Sequence, residues 1–101
     1  MKYEVNITQT ASEEIKDIAC YLLSTFKSKQ AYDNFYNELF YQLDIISEMP
    51  TLYGHSKIAN VGSVLYRAVH VNNYIMLYTF DNKEVTVGHV FHELQDYGKY
   101  V

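Results

Sequence analysis

Cysteine is nearly absent from this chain of 101 residues: Cys20 stands alone, so no intrachain disulfide can form. It falls among apolar residues of a predicted helix and reads as a buried, inert thiol, since a reactive one needs a neighbouring cation or a helix N-terminus. Proline occurs once, as Pro50, and glycine four times. That scarcity excludes collagen-like repeats and Pro/Gly-rich disorder. Arginine also occurs once, as Arg67, and the formal net charge is −4. An acidic balance counts against a nonspecific nucleic-acid binder, which needs a basic face to displace counterions. No apolar run approaches the roughly 20 residues of a membrane span, and the alternating first ten residues do not read as a signal peptide. The expected compartment is the cytoplasm.

What is present is one domain's worth of core. Hydrophobic residues make up 49% of the chain, including 11 tyrosines. Residues 3–9 alternate, with Tyr3, Val5 and Ile7 on one side, and predict a half-buried strand. Thr10, with Glu13 three residues on, reads as a capping box that opens a helix. Ala11, Ile15, Ile18, Ala19, Leu22 and Phe26 follow at helical spacing. Ser28 is a second N-cap, and Tyr32, Phe35, Tyr36, Leu39, Leu43 and Ile46 form the stripe of a longer helix that Pro50 ends. The short connection predicts an antiparallel helical hairpin. Residues 51–62 read as a loop. Residues 63–71, 74–80 and 84–92 predict three antiparallel strands in a meander. The fold class is α+β, in the order β-α-α-β-β-β, as a single domain over 1–101.

Turn chemistry gives a register. A two-residue turn at Asn72-Asn73 places Val71 opposite Tyr74 and Arg67 opposite Tyr78. A three-residue loop at Asp81–Lys83 places Phe80 opposite Glu84 and Tyr78 opposite Thr86. One face then carries Tyr66, Ala68, Ile75, Leu77, Val85, Val87 and Phe91, the expected helix-packed side. The other carries Leu65, Arg67, Val69, Tyr74, Met76, Tyr78, Thr86, Val90 and His92. That side is too apolar for bare solvent and is expected to take the C-terminal tail or a partner.

The element order and Tyr66-Arg67-Ala68-Val69, Asn73-Tyr74-Ile75-Met76-Leu77-Tyr78, Val85-Thr86-Val87 and Val90-Phe91-His92 together resemble the RelE/ParE toxin superfamily. Met49-Pro50 with Gly54, and the tail Gln95-Asp96-Tyr97, fit the same pattern, which covers essentially the whole chain. The resemblance implies the toxin half of a type II toxin–antitoxin system, of the kind tied to plasmid stabilisation, neutralised by an antitoxin that wraps it. It also implies one of two activities: RelE-like cleavage of messenger RNA on the ribosome, or ParE-like inhibition of DNA gyrase. RelE-type nucleases carry an arginine after the tyrosine that opens the third strand; here that position is Ile75, which cannot stabilise a phosphorane. With the acidic charge, this favours the ParE-like branch. A member that binds its antitoxin and harms nothing is a third possibility.

Arg67 is the leading site candidate, because a mid-strand guanidinium must be paired or solvated. It binds a phosphate or partner carboxylate bidentately, or pairs internally with Glu93 or Asp96. If the chain is a nuclease, Arg67, His92 and Tyr97 are its catalytic candidates. By strand count His92 lies about 20 Å along the sheet from Arg67, which argues against one catalytic pair. The expected partner-binding set is Arg67, Tyr74, Met76, Tyr78 and Tyr97. His55 and Lys57 read as loop residues beside Arg67, and His70 and His89 as structural residues at the core edge. Glu13, Glu14 and Asp17 read as a solvated helix face. No metal and no cofactor are expected.

Overall fold

A computed structural model describes residues 2–52, 55–61 and 64–94, with the backbone alone at 55–61. The chain runs β1 (Glu4–Ile7), α1 (Gln9–Cys20), a π-helical segment (Tyr21–Thr25), α2 (Lys29–Glu48), β2 (His55–Val61), β3 (Val64–Val71), β4 (Tyr74–Phe80) and β5 (Glu84–His92). One sheet in the order β1-β5-β4-β3-β2 carries the helices on one side. The helix pair and the β3–β5 meander follow the sequence pattern. The segment read as a loop instead carries β2, an edge strand antiparallel to β3.

Both helices start at hydroxyl caps. Thr8, rather than Thr10, opens α1: its Oγ1 accepts from the Ala11 N–H at 3.1 Å. Ser28 opens α2, accepting from the Ala31 N–H at 3.0 Å. The same Ser28 closes the preceding segment, because its N–H donates to the Leu22 carbonyl at 2.9 Å. Lys27 between them takes a positive φ of 55°, the left-handed residue that ends a helix. Met49 leaves helical geometry before Pro50, as the residue preceding a proline should.

The first hairpin has the expected register, Arg67 opposite Tyr78 and Val71 opposite Tyr74. The second does not. Phe80 faces Val85 and Tyr78 faces Val87, because the Asp81 N–H bonds the Glu84 carbonyl and leaves a two-residue turn. The Asp81 carboxylate accepts from the Lys83 and Glu84 N–H groups and fixes that turn. Gly88 is then the extra residue of a bulge, since Tyr78 pairs Val87 but Leu77 pairs His89.

On β3, β4 and the end of β5 the faces are the reverse of the expectation, while Val85 and Val87 pack against the helices as expected. Val69, Val71, Met76, Tyr78, Val85, Val87 and Val90 pack against Ala11, Ile15, Leu22, Phe35, Leu39, Leu43 and Ile46 of the helical layer. Ile75, Leu77 and Phe91, with Tyr66 and Ala68, form a second cluster on the other side. Tyrosine misled the sorting. Tyr78 looks half-polar, yet it is fully buried, and its hydroxyl donates to the Pro50 carbonyl at 2.7 Å. That bond avoids the cost of an unsatisfied buried hydroxyl, about 1–3 kcal/mol, and lets the ring serve as core. Each large side chain sealed here contributes roughly 1.5–3 kcal/mol.

β1 is the other edge of the sheet and, among the described residues, its only parallel member: Val5 faces Val85 and Ile7 faces Val87. Where β1 turns into α1, the edge of β5 continues, and α1 supplies its partners. The Thr8 hydroxyl donates to the Gly88 carbonyl at 3.3 Å, and the Glu14 carboxylate accepts from the Val90 N–H at 3.0 Å. Among the described residues no helix is long and apolar enough to cross a membrane.

Candidate functional site

Arg67 sits in the middle of β3, with the His55 backbone on one side and Tyr78 on the other. Strand alternation puts its side chain on the helix-packed face with Val69 and Val71. The residue is half-buried, and its guanidinium carbon lies 5.3 Å from the centroid of the Phe80 ring. A cation over a ring is held by the ring's quadrupole, so Phe80 fixes the direction in which Arg67 emerges.

Two members of the expected partner-binding set are not on a surface. Met76 and Tyr78 are fully buried beneath the helices, so a partner docked on the sheet as it stands does not touch them. Tyr74 is half-buried at the far end of β4, edge-on to Phe35 at 5.2 Å and to His92 at 5.3 Å. Tyr97 lies outside the described residues. The position that carries arginine in the nuclease pattern, Ile75, is 8% exposed and packed in the second apolar cluster.

His92 pairs with Tyr74, four residues along β4 from Tyr78. At about 3.3 Å per residue that is about 13 Å from the level of Arg67, less than the 20 Å estimated from sequence. The shorter turn and the Gly88 bulge each remove one residue from the count. The Nδ1 of His92 accepts from the Leu94 N–H at 3.1 Å. In the neutral ring the proton is therefore on Nε2, and the outer nitrogen is a donor rather than a base.

A second cluster was not legible as a site. Glu14, read as part of a solvated face, has its side chain only 19% exposed and lies 3.4 Å from His89 Nδ1. Burial pushes its carboxyl above the usual glutamate value, against the pull of the Val90 N–H and of His89. Tyr66 meets His89 edge-on at 5.6 Å, and burial, followed by the charge of Glu14, raises its phenol. The Tyr66 ring lies across Gly88, where an added Cβ would come within 2.6 Å of Tyr66 Cε1. The mid-strand glycine was the available signal, since such residues mark bulges and close approaches. His70, expected at the core edge, is instead exposed, 3.8 Å from Glu93. Cys20, expected to be buried, is exposed at the end of α1.

Tyr74 and His92 also form one wall of a groove of about 850 Å³. Ile18, Leu22 and Phe35 line it, the π-helical segment and Phe26 form one lip, and Asn72 and Asn73 of the β3–β4 turn form the other.

A family model described as ParE toxin of type II toxin-antitoxin system, parDE, matches residues 5–97. A search of curated protein sequences finds no match. Among solved structures, the chain is similar to one of the chromosomal ParDE toxin–antitoxin system from P. aeruginosa. The TM-score is 0.69 at 10% identity, over 90% of this chain and 96% of that one. The archaeal RelE–RelB complex from Pyrococcus horikoshii OT3 matches with TM-score 0.62 at 14% identity, over 94% and 99% of the two chains. The YoeB dimer from Staphylococcus aureus matches with TM-score 0.61 at 14% identity, over 91% and 98%.

Proposed function

The chain belongs to the ParE toxin family of type II toxin–antitoxin systems, and we propose that it acts in the ParE manner, by binding a protein target, DNA gyrase, without chemistry of its own. The observation that carries this reading is Ile75. A ribonuclease of this fold class needs a cation where the phosphorane forms, and an isoleucine packed with Leu77 and Phe91 offers none. The acidic chain, at −4, adds to that, because a ribosomal RNA surface selects basic proteins. A cognate antitoxin neutralises the toxin, and Arg67, with Tyr74 and Tyr97, contributes to partner contact.

Controlled expression in bacteria lacking the antitoxin tests the reading, alongside a supercoiling assay with purified gyrase. The expected outcome is a DNA-damage response with loss of supercoiling. Rapid translation arrest with cleaved transcripts would instead establish the ribosome-dependent endoribonuclease. Unaffected growth would establish a member that binds its antitoxin without toxicity.

A further inference from the structure

We propose that the groove between the π-helical segment, the start of α2 and the β3–β4 turn receives the cognate antitoxin, through a segment with apolar anchors flanked by lysine or arginine. The inference deepens the toxin–antitoxin reading and rests on it.

The π-helical segment builds this feature. In an α-helix, residues five apart point about 140° away from each other. In a π-turn, which closes i to i+5, they fall on the same face. The Phe26 N–H donates to the Tyr21 carbonyl at 2.9 Å, and the two rings stack at 6.4 Å and 14°. Tyr21 and Phe26 are nevertheless 51% and 59% exposed, and Leu94, on the same groove, is 84% exposed. The helix has distorted to pair two aromatics at an open lip and has not buried them. π-Turns recur at functional positions for this reason: they re-aim side chains.

The floor is apolar, from Ile18, Leu22 and Phe35. One end is tied off, because the Asn72 amide donates to the Asn34 carbonyl at 3.3 Å. Asp17 is the one acidic or basic side chain, histidine aside, among the described residues that line it. Among the described residues no lysine or arginine lines it, and the chain as a whole carries −4. An occupant that fills the floor with apolar side chains and sets a cation against Asp17 matches both features.

The test titrates the purified chain with the product of the reading frame adjacent to its gene, followed by calorimetry at two salt concentrations. Tyr21→Ser with Phe26→Ser is expected to weaken binding about tenfold or more, as truncated aromatic anchors do. Asp17→Asn is expected to reduce the salt dependence. Phe40→Ser, a change at a residue 60% exposed elsewhere on the helical layer, is expected to bind as the wild type does. Hydrogen exchange on the unaltered proteins is expected to show new protection at 21–26 and 72–74 in the complex, and this decides the matter should the double variant fold poorly. A complex that forms, leaves those amides unprotected and tolerates the double variant overturns the groove assignment and leaves the family reading intact. Dimerisation of the toxin that the double variant abolishes, with antitoxin affinity unchanged, overturns it in favour of a second copy. If the wild-type chain binds no neighbouring product, both readings fall.

Discussion

Arg67 and Glu14 are the two residues whose environments most constrain what they do. Arg67→Ala is expected to abolish toxicity or antitoxin binding while shifting the thermal midpoint by only a few degrees, since the residue is only half-buried and its ring contact with Phe80 is worth roughly 0.5–1 kcal/mol. A collapse of the melting transition would show that the arginine serves the fold. Glu14 makes a prediction in pH. The folded chain holds its proton more tightly than the unfolded chain, because burial disfavours the carboxylate. Its contribution to stability is therefore complete below the ordinary value of 4.5 and is lost as pH rises through the higher folded value. Glu14→Gln keeps a carbonyl for the Val90 N–H and removes the titration, so thermal midpoints across that range should run flatter than the wild type's. An unchanged slope would refute the assignment. Neither environment was legible in the sequence. The spacing of Glu13, Glu14 and Asp17 shows a polar helix face but not that the edge of β5 outruns β1 and draws one of those acids inward.

At the scale of elements, Ser28 and Gly88 are each asked to do two things. Ser28 terminates one helical segment through its N–H and starts the next through its hydroxyl. Ser28→Ala removes only the second bond and is expected to cost about 1 kcal/mol, measurable by urea unfolding. Gly88 supplies the bulge and the clearance for Tyr66. Gly88→Ala sets a methyl group against the Tyr66 ring at 2.6 Å, so it is expected to destabilise more than the serine change does. Pairing it with Tyr66→Ala should recover part of that loss, and failure to recover would place the strain in the backbone. Element order, the helix pair and the first hairpin were all readable, because periodicity and Asn72-Asn73 encode them locally. The second hairpin was not. Whether Asp81–Lys83 closes as two residues or three depends on the Asp81 carboxylate seizing the Lys83 and Glu84 amides, and one residue of slip inverts a strand. Residues 55–61 carry few β-branched residues, and only pairing with β3 makes them a strand.

For the whole molecule, net charge and surface layout bear on the choice of target. A gyrase binder at −4 should inhibit supercoiling with weak sensitivity to added salt, because it displaces few counterions from nucleic acid. Inhibition that collapses steeply between low and physiological salt would point to direct nucleic-acid contact. The face reversal belongs to this scale as well. Sorting side chains by polarity placed the less uniformly apolar side, with the lone arginine, outward, whereas the assembled layers hide Tyr78, whose hydroxyl finds an acceptor in Pro50. Alternation along a strand identifies two sides but does not say which one a helix will cover. Only the three-dimensional supply of acceptors decides that.

The parallel seam between β1 and β5 has a consequence for assembly. Residues 4–7 precede every other described element in the chain, yet their neighbours in the sheet are residues 84–87. Closing so long an intervening span costs about 4 kcal/mol of chain entropy before any hydrogen bond of that seam forms. β1 thus has no strand to pair with until residues 84–87 have been made. Refolding should be paced by that late closure, and the amides of 4–7 should be the last to become slow to exchange.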